Sequence, residues 1–173
     1  MKETLRVINQ MQAAGVIGKY AIGGAIGATF YLEPTSTFDI DIFVSFENMA
    51  GSLIVSPAPI YNYLEPLGYK AENEHIIIEG WHVQFLPADD KLNNEALMHA
   101  IETNVDGVIT WVMTAEHLMA NALKTGRMKD FIRLQQFVER KLYDASRLNE
   151  ILARNGLLEK WGEFKAKYIE VRK

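Results

Sequence analysis

Apolar and polar residues change period several times along this chain, and each change marks an element. Leu5, Ile8, Met11 and Gln12 recur at helical spacing between Lys2 and Ala14 and stop at Gly15, which predicts an amphipathic first helix. Tyr20-Ala21-Ile22-Gly23 reads as the end of a core strand running into a glycine pair, Gly23-Gly24, with a short helix over 25–32. Phe38, Ile40, Ile42 and Val44 then alternate with Asp39 and Asp41, so 37–44 is predicted as a strand with its apolar face turned to a core. A loop rich in breakers, among them Gly51, Ser52, Pro57 and Pro59, runs over 45–60, and a short helical stretch over 60–65 is closed by Pro66 and Gly68.

Two apolar runs over 75–78 and 81–86 flank Glu79-Gly80, the pattern of a hairpin with glycine at the turn. Leu92, Ala96, Leu97 and Ala100 predict a helix over 89–101, and Val108, Ile109, Trp111 and Val112 a strand over 105–113. From there the period is helical to the end. Thr114 opens one helix and Gly126 stops it, and Phe131, Leu134, Phe137 and Val138 mark the next. Asp144 caps a third, ended by Asn155-Gly156, and a last helix is expected over 157–171. The expected fold class is α/β in the α+β sense: a mixed β-sheet flanked by helices over 1–113, with a helical extension over 114–173 packed on it as one unit.

Composition narrows this picture. A chain of 173 residues with 49% hydrophobic content is large enough for a well-buried core. Eighteen basic against 22 acidic residues leave a net charge of −4, so a polynucleotide partner would need a local basic patch. Cysteine is absent, which excludes disulfides and cysteine-based zinc sites, and His75, His82, His99 and His117 share no zinc-ligand spacing. The N-terminus lacks the apolar core of a signal peptide and no run approaches a membrane span, so a cytoplasmic protein without a membrane partner is expected.

The chemistry concentrates in the first quarter. On a strand rising about 3.3 Å per residue, Asp39 and Asp41 stand on one face about 6.6 Å apart, and two like charges there raise each other's cost. A hard divalent cation removes that cost, and magnesium pairs one or two carboxylates with substrate phosphates. Glycine at the preceding strand-to-helix turn lets backbone N–H groups approach an anion.

Gly23-Gly24, a short helix, then Thr37-x-Asp39-x-Asp41 on a strand resembles the nucleotidyltransferase superfamily with the DNA polymerase β-like fold, most closely its small bacterial branch that includes the AbiEii-like toxins. The resemblance implies that Gly23 and Gly24 hold nucleotide phosphates, that Asp39 and Asp41 hold Mg2+ or Mn2+, and that a third acidic residue stands on a later strand. That position here is Gln84. The stretch Lys124-x-x-Arg127-x-Lys129-Asp130 resembles the helical element after the catalytic core in such proteins, which adds Lys124, Arg127 and Asp130, with Thr37, as nucleotide-binding candidates. Read without the resemblance, Lys124 and Arg127 are cations near a helix end and Asp130 an acid near a helix start.

Two metal ions about 3.5–4 Å apart stabilise both the attacking and the leaving oxygens of nucleotidyl transfer. The expected activity is transfer of a nucleoside monophosphate from a nucleoside triphosphate to a hydroxyl on a small molecule, a protein side chain or an RNA end. A toxin–antitoxin pair, with an antitoxin as partner, is the setting the branch implies. Two departures from the family pattern stand out. Gln84 cannot accept a proton as a carboxylate does, and Thr35 occupies a position where many relatives carry arginine. An impaired nucleotide-binding or interaction protein that keeps the fold therefore stays open beside the enzyme, as does a sheet protein with purely structural aspartates. Glu79, Asp89 and Asp90 stand at other heights than Gln84 and are poor substitutes for it.

Overall fold

Ile40, Ile42 and Val44 are fully buried while Asp39, Asp41 and Phe43 between them are not, so the alternation in the sequence becomes two faces of one strand. In the computed structural model, which describes residues 1–34, 37–46 and 57–170, this strand is β2 (Asp39–Val44). It pairs antiparallel with β1 (Tyr20–Ile22), Tyr20 opposite Val44 and Ile22 opposite Ile42. Five more strands complete the sheet: β3 (Lys70–Glu72), β4 (His75–Ile78), β5 (Trp81–Pro87), β6 (Ile101–Val105) and β7 (Val108–Val112). Their spatial order is β3-β4-β5-β2-β1-β7-β6. The β2–β5 and β1–β7 pairs are parallel and the others antiparallel, which makes the sheet mixed, as expected.

Two tight turns fix the register of its hairpins. Glu79 and Gly80 have φ of 51° and 80°, and Asp106 and Gly107 have 51° and 85°, the left-handed pair that suits the twist of a two-residue hairpin. The first was legible in the sequence. The second corrects the single strand expected over 105–113, because β6 pairs back on β7 there. It also ends the preceding helix early.

Helices cover both faces. On the face bearing Tyr20, Ile22, Ile40, Ile42 and Val44, α1 (Lys2–Ala13) buries Leu5, Ile8 and Met11, and α3 (Ala58–Leu64) buries Ile60 and Leu64. A 3-10 turn (Glu65–Leu67) follows α3 and ends at Gly68. The short α2 (Gly24–Ala28) sits at the end of β1. The opposite face meets α4 (Lys91–Met98), against which α5 (Ala115–Thr125) packs; α6 (Met128–Arg140) and α7 (Ala145–Arg154) pack on α5, and α8 (Leu158–Tyr168) on α7. Its apolar cluster runs from Ala21 and Met113 through Leu118, Leu134 and Phe137 to Ile151 and Phe164, so buried contacts cross position 113 without a break.

The helix limits follow their caps. Thr114 Oγ1 accepts from the His117 N–H, Asp90 from Asn93 and Asp144 from Arg147, while Gly126 closes α5 with φ of 73°. Asp90 as N-cap trims the helix expected over 89–101 to Lys91–Met98, and α2 is shorter than the stretch expected over 25–32. The last helix ends at Tyr168, and Val171 lies outside the described residues, as do Thr35 and the Gly51 and Ser52 of the predicted loop. No helix among the described residues is long and apolar enough to cross a membrane.

Candidate active site

The strand face that carries Asp39 and Asp41 is the one facing the helical layer, and the β1–α2 turn closes directly over Asp41. Gly24 has φ of +56°, and a Cβ placed there would lie 1.7 Å from Asp41 Oδ2. Only glycine admits both that backbone and that carboxylate. Gly23 donates its N–H to the Asp41 carbonyl at 2.9 Å, so the turn's unpaired N–H groups begin at Gly24. Burial raises the Asp41 pKa, partly offset by the positive charges of Arg133, Arg127 and Lys129 and reinforced by Asp39. Asp39 is more open; its N–H donates to Thr37 Oγ1 at 3.3 Å.

The parallel β5 sets Gln84 opposite Asp41 and His82 opposite Asp39. His82 Nδ1 is 3.6 Å from Asp39 Oδ1, and the His75 ring lies beside it at 5.9 Å. The Gln84 amide donates to Glu74 Oε2 at 3.2 Å. Glu74 was absent from the sequence-derived candidates. It belongs to the Asn73-Glu74 turn between β3 and β4, where Glu72 pairs with His75 and Asn73 takes φ of 56°. Glu79, by contrast, accepts from Tyr69, and Asp90 binds Lys124 and caps α4.

Helices α5 and α6 bring the cations. Lys124 Nζ is 3.0 Å from Asp90 Oδ2, and both groups are partly exposed. Burial opposes ionisation of Asp90, but Lys124 and the N–H groups of Asn93 and Leu92 outweigh it and hold its carboxyl below the usual range. Arg127 is the N-cap of α6, with Nε 2.8 Å from Asp130 Oδ2 and its backbone N–H also donating to that oxygen at 3.2 Å. Arg133 donates to Asp130 Oδ1 from the next turn. Asp130 is 1% exposed. Against the cost of burial, the two guanidinium groups keep its carboxyl below the usual range, so Asp130 is the counter-ion that aims two arginines. Arg133 had a sequence signal that went unread: it stands three residues after Asp130 and six after Arg127, on one helix face.

These groups line two adjoining cavities of about 550 and 760 Å3, which share Asp41, Glu74, Gln84, Arg127 and Arg133. The smaller adds Gly24, Lys124 and Asp130, and the larger adds Thr37, Asp39, His75 and His82. Of the candidate metal- and nucleotide-binding residues named from the sequence, Gly23 alone lines neither. Asp39, Asp41, Glu74 and the Gln84 amide bring oxygens to the walls of these cavities, the donor type that suits a hard dication such as magnesium. Phe38 corrects one expectation. It is 68% exposed rather than buried, at the rim of the larger cavity and beside Trp81 at 6.3 Å.

The chain resembles solved structures of nucleotidyltransferase-like proteins along nearly its full length. An antigenic nucleotidyltransferase-like protein from Paracoccidioides brasiliensis superposes with a TM-score of 0.55 at 14% identity, covering 96% of this chain and 94% of the other. ANT(2'')-Ia in complex with adenylyl-2''-tobramycin gives 0.50 at 14% identity, covering 95% and 98%. The solution structure of the antibiotic-resistance factor ANT(2'')-Ia gives 0.51 at 14%, covering 92% and 96%. The fold is therefore nucleotidyltransferase-like. No protein-family model and no curated protein sequence matches the chain.

Proposed function

We propose that this chain is a nucleotidyltransferase that moves a nucleoside monophosphate from a nucleoside triphosphate onto a hydroxyl of a small molecule. The observation that carries the reading is the convergence of Asp39, Asp41, the Gly24 turn and the Lys124–Arg127–Arg133 cations on one pair of adjoining cavities. The fold likeness to nucleotidyltransferase-like proteins supports it.

Asp39 and Asp41 hold the divalent cation, Mg2+ or Mn2+, which when bound neutralises charge on the reacting phosphates. Lys124, Arg127 and Arg133 take the negative charge that grows on pyrophosphate, and the N–H groups from Gly24 onward approach the phosphate oxygens. Thr37 orders the start of β2 through its bond to the Asp39 N–H. The acceptor oxygen bonds to the α-phosphorus as the bridge to the β-phosphate breaks, pyrophosphate departs with the electron pair, and the hydroxyl proton passes to a carboxylate. Gln84 cannot take it, and Glu74, hydrogen-bonded to Gln84, is the group that can.

The acceptor then occupies the larger cavity. Asp39, Glu74, His75 and His82 on its wall offer hydrogen-bond partners to the hydroxyl and amine groups of a small molecule, beside the cations Arg127, Lys129 and Arg133. ANT(2'')-Ia, solved with adenylyl-2''-tobramycin, is a precedent for a small-molecule acceptor on this fold. The cytoplasm, where triphosphates and magnesium are supplied, is the compartment this reading requires. A toxin role with an antitoxin partner is a further setting; growth arrest on expression that Asp39→Ala/Asp41→Ala abolishes would support it. A second reading, nucleotide binding without transfer, is favoured by the neutral amide opposite Asp41.

The test offers triphosphates labelled at the α-phosphate together with aminoglycosides, proteins or RNA. Label appearing on the small molecules, and lost with Asp41→Asn, supports transfer. Nucleotide binding without label on any acceptor class leaves the second reading.

A further inference from the structure

Sequence spacing gave the histidines no common metal, but the fold brings two of them together away from the cleft. Glu95 on α4 and His99, the residue that caps its C-terminal end, stand at i and i+4, and His117 meets them from the first turn of α5. Their ligand atoms all lie within 4.8 Å of one another. His117 Nε2 is 3.8 Å from Glu95 Oε1, and the His99 and His117 rings face each other at 5.7 Å with 22° between planes. None of the three lines either cavity of the candidate active site.

We infer that Glu95, His99 and His117 form a second, independent metal site, with zinc as its best-matched ion. The decisive atom is His117 Nε2: the residue is 1% exposed, and this nitrogen has no hydrogen-bond partner among the described residues. A buried polar atom without a partner is costly, and coordination removes that cost. The other nitrogens are already arranged for it. His99 Nδ1 donates to the Glu95 carbonyl at 2.9 Å, which leaves Nε2 with the lone pair. His117 Nδ1 is 2.8 Å from Thr114 Oγ1, a partner that fixes the same tautomer once a metal occupies Nε2.

Glu95 has outer partners of its own: Arg154 Nη2 at 2.6 Å on Oε1 and Asn155 Nδ2 at 3.2 Å on Oε2. Ligating carboxylates are oriented in this way. Two imidazoles and one carboxylate suit zinc, whose bonds of about 2.0–2.2 Å draw the three atoms closer than they stand here. His99, exposed just past the last turn of α4, is the residue with room to close. The bound ion cross-links α4 to α5, leaves its fourth position to solvent, and braces Arg154 and Asn155 at the end of α7 through Glu95.

The experiment is equilibrium dialysis and thermal unfolding with Zn2+ alone, in the Asp39→Ala/Asp41→Ala background so that the cleft carboxylates do not contribute. The expected result is one saturable Zn2+ per chain, a Tm raised by about 5–10 °C at a hundredfold excess over Kd, and no displacement by Mg2+. Co2+ in place of zinc should give visible ligand-field bands. His99→Ala, at an exposed position, should abolish saturable uptake, and Arg154→Ala should weaken it about tenfold. No saturable uptake in this background, or uptake unchanged by His99→Ala, overturns the proposal; neither result bears on nucleotide transfer.

Discussion

Replacing Gly24 by alanine probes the tightest contact in the candidate active site. Two effects act at once. The residue has φ of +56°, where an L side chain costs about 1–2 kcal/mol, so Tm should fall by about 2–8 °C in a chain of this size. The new Cβ would also stand 1.7 Å from Asp41 Oδ2, and ordinary contact begins at 3.4 Å, so the carboxylate oxygen must retreat by about as far again. Misplacement of a reacting group by about 1 Å can cost on the order of 10²-fold. Gly15→Ala is the control, because Gly15 has φ of +71° with nothing within 4 Å of the added Cβ. Gly24→Ala should lose more stability than Gly15→Ala, which carries the backbone cost alone, and only Gly24→Ala should lose metal-dependent nucleotide binding, read by calorimetry. If Gly24→Ala binds metal and nucleotide as the wild type does, the steric reasoning is wrong.

Three further substitutions separate stability from function. Burial raises the Asp41 pKa, so the native state holds that proton more tightly than the unfolded chain; the cost is absent below about pH 3.9, grows up to the folded pKa and persists above it. Asp41→Asn should therefore raise the Tm of the metal-free protein at pH 7 but not at pH 3, and equal shifts at both would exclude burial as the cause. Lys124→Ala breaks a half-exposed bridge worth under about 1 kcal/mol, so Tm should barely move while triphosphate affinity falls about tenfold or more; unchanged affinity would assign Lys124 to Asp90 alone. Gln84→Glu puts a carboxylate opposite Asp41 and removes the bond to Glu74, so it should lower the metal-free Tm and tighten Mn2+ binding measured by titration; no gain in Mn2+ affinity would mean that position 84 does not face the cation.

What the sequence revealed depended on whether a signal was local. The alternation around Asp39 and Asp41, the Glu79-Gly80 turn, and the caps at Thr114, Gly126 and Asp144 are each contained in a few residues, and each appears in the structure. Lys70–Glu72 is exposed at every position, and Ile101–Val105 buries none fully, so these edge strands carry no apolar face for periodicity to detect. The Asp106-Gly107 turn was nonetheless a readable hairpin signal. Phe38 escaped burial because it precedes β2: its carbonyl still accepts the His82 N–H, but the strand's buried positions begin at Ile40. Glu74 reaches Gln84 only through a hairpin joining two other strands, and the Glu95–His99–His117 cluster needs two helices docked together. Contacts of that kind are absent from spacing and arise from tertiary packing.

The most direct measurement of the central claim is calorimetric titration of the four ribonucleoside triphosphates, with Mg2+ or Mn2+, into the wild type and into Asp39→Ala/Asp41→Ala. The account predicts binding that requires the metal and disappears in the double variant while the fold, read by thermal unfolding, remains. Failure of the wild type to bind any triphosphate with either metal, or binding that the double variant retains in full, would contradict it.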